Sequence, residues 1–162
     1  MRQTYNRRSI LGYCSAGVAA AAALLGGAPA AQADTAKFTA NLKGADEVPP
    51  NQTTGTGSIT VTLDTGTNAL TWNGTFSGLT GPATAAHFHG PAPAGKNAGV
   101  VVWISQKPAE AGTKPPPFTS PFQGTATLTA GQVSDLMAGN WYVNVHTQAN
   151  PGGEIRGQLV KS

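Results

Sequence analysis

Apolar and polar residues alternate along most of this chain with a period of two. In Trp141-Tyr142-Val143-Asn144-Val145-His146, the residues Trp141, Val143 and Val145 form one set and Tyr142, Asn144 and His146 the other. Successive side chains of a strand point to opposite faces, so the apolar set is expected in a core. Ile155 and Leu159 are a second core set, with Glu154 and Arg156 sharing the other face. Runs rich in Val, Ile, Thr, Trp and Phe recur between Gly/Pro/Asn/Asp clusters, and helical periodicity is nearly absent. The pattern predicts strands near 36–43, 56–64, 68–78, 84–89, 99–105, 122–129, 140–147 and 154–160. Asp64-Thr65-Gly66 and Asn150-Pro151-Gly152-Gly153 read as hairpin turns in which glycine supplies the positive φ. One helical turn is expected over Gln132 to Ala138, with Thr129 or Gly131 near its N-cap and Gly139 as its stop. About eight strands at this spacing predict an all-β fold, an antiparallel Greek-key-like sandwich or barrel.

Two segments break the pattern. Lys107 to Pro121 holds five prolines and reads as an extended loop between strands. Gly90 to Ala98 is a Gly/Pro/Ala loop directly after His87-Phe88-His89, a position where loops often carry function on a rigid scaffold.

The first 33 residues read as a secretory signal peptide. Arg2, Arg7 and Arg8 form a basic start, an Ala-rich apolar run follows from Gly17 to Leu25, and Ala31-Gln32-Ala33 supplies a cleavage pattern ahead of Asp34. Arg7-Arg8 fits a twin-arginine signal, or an ordinary export signal with two adjacent arginines. The run is too short for a membrane anchor of about 20 residues. The expected placement is therefore secreted or periplasmic, with residues 34–162 as one β domain.

Cleavage changes the charge picture. The whole chain carries +3, and Arg2, Arg7 and Arg8 account for it. Residues 34–162 keep seven basic and seven acidic side chains. A neutral domain has no electrostatic footprint for nucleic acid. The single cysteine, Cys14, lies in the signal, so the domain has no disulfide despite an oxidising destination.

The three histidines are the residues best suited to chemistry. His87 and His89 share one strand face, with Cα atoms roughly 6.5 Å apart. His146 ends a separate strand, on the face opposite its apolar set or at the rim. Three imidazoles from two neighbouring strands would suit a single Cu(II) or Zn(II) ion. The plainer reading is three histidines that only hydrogen-bond within the sheet. Glu154 is expected near His146 across the short Asn150–Gly153 turn. There it could accept the other ring N–H of His146, or pair with Arg156 as a surface ion pair. No nucleophile elbow, paired-carboxylate context or phosphate loop is present, so an enzyme is the least supported class.

Several motifs together resemble the CHRD (chordin-type) domain. They are Phe38, Ala40, Leu42 and Gly44 with Glu47-Val48-Pro49-Pro50; Leu79-Thr80-Gly81, His87-Phe88-His89-Gly90 and Gly99-Val100-Val101; and Tyr142 to Thr147 followed by Asn150 to Leu159. The resemblance spans nearly all of residues 37–160. It implies a β-fold, an extracytoplasmic setting and a single exported domain of the bacterial kind. An extracytoplasmic protein partner is one implied role, but growth-factor binding does not carry over to a lone domain. A weaker resemblance is to copper–zinc superoxide dismutases, which are sandwiches with a His-x-His strand. This chain lacks their further ligand histidines and their disulfide.

Overall fold

The computed structural model describes residues 34–106 and 118–162. The expected signal peptide and most of the Pro-rich loop lie outside these residues. Nine strands and one helix follow in order: β1 Thr35–Lys43, β2 Thr56–Asp64, β3 Ala69–Ser77, β4 Ala83–His89, β5 Val100–Trp103, β6 Phe122–Thr127, α1 Ala130–Met137, β7 Tyr142–Thr147, β8 Ile155–Gln158 and β9 Val160–Lys161. They form one antiparallel sheet ordered β5-β4-β7-β8-β1-β2-β3-β6, with β9 added to β1. An isolated bridge joins Ala83 at the start of β4 to Phe118, just ahead of β6. This bridge draws the two ends of the sheet together into a nearly closed barrel. Closure spares most of the sheet from carrying an open edge.

The period of two decides what lies inside. In β1, Ala36, Phe38, Ala40 and Leu42 are buried while Lys37, Thr39 and Asn41 face solvent. Val61, Leu63, Leu70, Phe88, Trp141, Val143 and Val145 meet them in one core. Trp72 and Phe88 pack edge to face, their centroids 5.2 Å apart, and join the β3 and β4 sides of the barrel.

The predicted helix forms over Ala130–Met137. Thr129 and Gln132 make a reciprocal capping box, and Leu136 is the helix residue buried in the core. Gly139, at φ 75°, ends it. Two expectations need correction. In the β2–β3 turn, Asp64 Oδ1 accepts from the Gly66 and Thr67 amides, and the left-handed residue is Asn68 (φ 59°), not Gly66. An Asx-type turn from Asp64 does the work expected of the glycine. The last predicted strand is also split. Its first part, β8, pairs with β7, and its second part, β9, pairs with β1 at Phe38 and Thr39.

Candidate metal centre

The ladder brings β4, β7 and β8 side by side. His87 pairs with Asn144, which pairs with Arg156. His89 pairs with Tyr142, which pairs with Gln158, and His146 lies opposite Ala85. All these side chains rise from the face opposite the apolar core, as the alternation requires. That face is not exposed. His87, His89 and His146 are 7, 8 and 9% accessible, and Arg156 is 2%.

Three loops roof it over. From the Gly90–Ala98 loop, the Ala98 carbonyl meets His89 Nδ1 at 3.0 Å. Asn97 Oδ1 and the Lys96 carbonyl accept from Arg156 at 2.8 and 2.6 Å. The Ala92 carbonyl accepts from Gln158 at 3.0 Å. The turn after β7 supplies the Pro151 carbonyl, 3.0 Å from His146 Nδ1. The segment after β1 contributes Glu47, and the Val48 carbonyl accepts from Asn97. Aromatic rings complete the walls. Trp103 meets His87 edge-on with centroids 4.3 Å apart, and Tyr142 stacks on His89 at 4.8 Å. The Arg156 guanidinium covers the other side of Tyr142, 3.4 Å from its centroid.

The three imidazoles converge. Each offers a ring nitrogen within 4.8 Å of the other two, so some point lies within about 2.8 Å of all three. His87 Nδ1 and His146 Nε2 are 3.1 Å apart. Two nitrogens bound at 2.0–2.1 Å in a tetrahedral site are about 3.3 Å apart, so this pair already stands near ligand spacing.

The hydrogen bonds settle the tautomer of His89. A carbonyl can only accept, so its Nδ1 carries the proton and its Nε2 presents a lone pair, while His146 Nδ1 likewise meets the Pro151 carbonyl. Holding the far ring nitrogen on a carbonyl is how metal-ligating histidines are commonly oriented. Nε2 of His89 and of His87 is buried with no hydrogen-bond partner. His146 Nε2 also faces Asn144 Oδ1 at 2.9 Å. Burial pushes all three imidazole pKa values down, and His87, further opposed by His146 and His89, falls to about 3. At neutral pH the cluster is uncharged, the form that coordinates a metal.

Glu154 lies beside His146 in the sheet, its amide bonded to the Val145 carbonyl at 2.8 Å, but it does not bond the His146 ring. Its carboxylate accepts from Thr53 Oγ1, Thr80 N and Thr80 Oγ1, each at 2.7 Å, and from Thr147 Oγ1. The partner expected for His146 is replaced by the Pro151 carbonyl. The reason is local. β8 begins at Ile155, so Glu154 lies ahead of the strand and outside its alternation. The expected surface ion pair of Arg156 is corrected too, because Arg156 is buried and its guanidinium is taken by Asn97, Lys96 and Tyr142.

Sequence reasoning missed Glu47, Asn97 and Trp103 as parts of this layer. For Asn144 and Tyr142 a signal existed, since both alternate onto the face of His146. Glu47 and Asn97 sit on loops, where no period assigns a face.

No curated protein and no solved structure matches this chain. A family model does: the CHRD domain matches residues 38–159, the whole span from the first core strand to the last core leucine. The barrel, the three-histidine layer and the loops that roof it all fall within that match, and the chain belongs to the CHRD domain family.

Proposed function

We propose that this is an exported CHRD domain that binds one copper or zinc ion through His87, His89 and His146 and has no catalytic role of its own. The observation that carries the reading is the convergence of three buried, neutral imidazoles, with His89 and His146 each held at Nδ1 by a backbone carbonyl and Nε2 of His87 and of His89 left without a partner. Three neutral nitrogen donors suit Zn(II) or Cu(II). The loop roof argues against catalysis, because it leaves the histidines less than a tenth accessible and little room for a substrate. Export is supported by the basic, Ala-rich start of the chain and by the extracellular setting usual for this family. No helix among the described residues is long and apolar enough to cross a membrane.

Calorimetric titration of the purified, metal-free protein with Zn(II) or Cu(II) is expected to give about one ion per chain. His87→Ala, His89→Ala and His146→Ala should each abolish tight binding. Protein exported by its native host should carry metal by elemental analysis. Absence of binding to the wild type, together with metal-free native protein, would sink the reading.

A second reading is an interaction module for an extracytoplasmic protein, with structural histidines. It is favoured by the direct His87–His146 contact at 3.1 Å, which satisfies two ring nitrogens without an ion. A folded triple His→Ala variant should then keep its partner.

A further inference from the structure

We propose that Glu47 is the counter-charge of the three-histidine site. This rests on the metal reading above.

A divalent ion held by three neutral imidazoles would be a buried double positive charge. Arg156, paired in register with Asn144, adds another positive charge to the same layer. Burying uncompensated charge is costly, and an oppositely charged neighbour within the layer offsets that cost. Few acids are available. Glu154 is committed to three threonines. Asp46 is exposed and pairs with Lys43 at 3.6 Å. Glu47 alone among the described acids lies within the layer, 5% accessible.

Its placement is built in. The backbone carries Gly153 directly beneath the carboxylate, and a Cβ there would stand only 2.6 Å from Glu47 Cδ. Gly153 follows two residues after Pro151, whose carbonyl holds His146. Burial is the strongest influence on this carboxyl and disfavours its ionised form, and the charge of Arg156 only partly opposes it. One carboxylate oxygen, Oε1, is buried with no hydrogen-bond partner. An acid kept this dry and incompletely bonded is costly for the metal-free protein, and a nearby cation would offset that cost. Glu47 is not part of the cluster at ligand spacing. Asn144, paired in register with His87 and Arg156, places its Oδ1 2.9 Å from His146 Nε2. Glu47 is thus a charge-balancing residue and not a ligand.

The test is a pair of titrations at pH 8, with Zn(II) and with Ag(I), on wild type and Glu47→Gln. The glutamine keeps the shape and removes the charge. A through-space charge acts in proportion to the charge of the ion. We expect the variant to lose about a hundredfold in Zn(II) affinity but only about tenfold for Ag(I). Equal losses for both ions would mean a merely structural role, and an unchanged Zn(II) affinity would overturn the proposal outright. A second variant guards against a folding artefact. Glu47→Gln combined with Asn144→Asp returns a carboxylate to the layer and should recover Zn(II) affinity, and failure to recover it counts against the proposal. If wild type binds neither ion, the metal reading falls with it. If the histidine variants lose binding and Glu47→Gln does not, only this inference falls.

Discussion

Glu154→Gln isolates the contribution of the carboxylate whose partners proved to be threonines and not His146 or Arg156. The side chain is fully buried and accepts four hydrogen bonds, two at each oxygen. Hydrogen bonds to a charged group contribute about 1.5–3 kcal/mol each and neutral ones about 0.5–1.5, a difference of about 1 kcal/mol per bond. The amide keeps one oxygen for Thr53 and the Thr80 backbone. Its NH2 group forces the Thr80 and Thr147 hydroxyls to turn round and accept. Thr147 Oγ1 already accepts from the Asn150 amide at 3.2 Å, so the reversal crowds one oxygen with two donors. Removing the charge also removes its desolvation cost, which returns part of the loss. The net expected loss is about 2–3 kcal/mol at pH 7, or a fall in Tm of roughly 10 °C for a domain of this size. The pH dependence sharpens the test. Burial opposes ionisation of Glu154, but bonds from Thr147, Thr80 and Thr53 outweigh it and hold the pKa at about 2, below the ordinary 4.5. A depressed acid contributes its stability in full above the unfolded pKa and loses it as pH falls through the folded one. Urea melts of both proteins should therefore differ most above pH 5, and the gap should close between about pH 4.5 and pH 2. A gap that persists unchanged at pH 2, or is absent at pH 7, refutes the reasoning.

Other consequences follow from the same contacts. A saturating metal at a hundred times its Kd should add about 2.7 kcal/mol, visible as a rise in Tm that His146→Ala abolishes. The metal-free protein should lose stability as pH falls below about 6.5, because the three buried imidazoles resist protonation in the folded chain and accept it when unfolded. Denaturant melts between pH 7 and pH 4 check this, and bound metal should hold the curve up until the ion dissociates. Gly153→Ala combines a φ of 136°, a region L-residues rarely adopt, with a clash against the Glu47 carboxylate. It should cost about 2–3 kcal/mol or more by thermal melt, and should lower metal affinity as Glu47 is displaced.

The barrel was legible because its signal is periodic. Every predicted strand exists, and His87 and His89 share a face as Ala86 and Phe88 share the other, in the core. The helix was legible through Thr129, Gln132 and Gly139, whose chemistry is local. What alternation could not supply is the third dimension of the polar face. It placed His146 opposite the core, which reads as exposed when only one sheet is considered. The structure buries that face because Lys96 to Ala98, Pro151 and Glu47 arrive from loops. Glu154 failed for the complementary reason. Period-two reasoning was extended one residue ahead of the start of β8, where the chain does not yet follow the pleat.

The two glutamates of this region show why burial alone does not predict chemistry. Glu47 and Glu154 are both nearly inaccessible, at 5 and 0%. Glu154 receives four donors and is held ionised, with a pKa of about 2. Glu47 leaves one oxygen without a partner, and burial raises it to about 7, with Arg156 and hydrogen bonds only partly opposing. Ionised Glu154 fixes Thr53, Thr80 and Thr147 to the β7–β8 turn, the same turn that presents the Pro151 carbonyl to His146. Glu47 stands over Gly153 at the other side of that turn with its charge incompletely satisfied. A fold whose only concern was stability would gain by replacing Glu47 with an apolar residue, since an unpaired buried acid costs more than it returns. The same side chain becomes favourable once a cation is present in the layer. The contrast between a fully bonded carboxylate and an incompletely bonded one distinguishes Glu154, which ties the β7–β8 turn to its neighbours, from Glu47, which on the proposed reading would balance the charge of a bound cation.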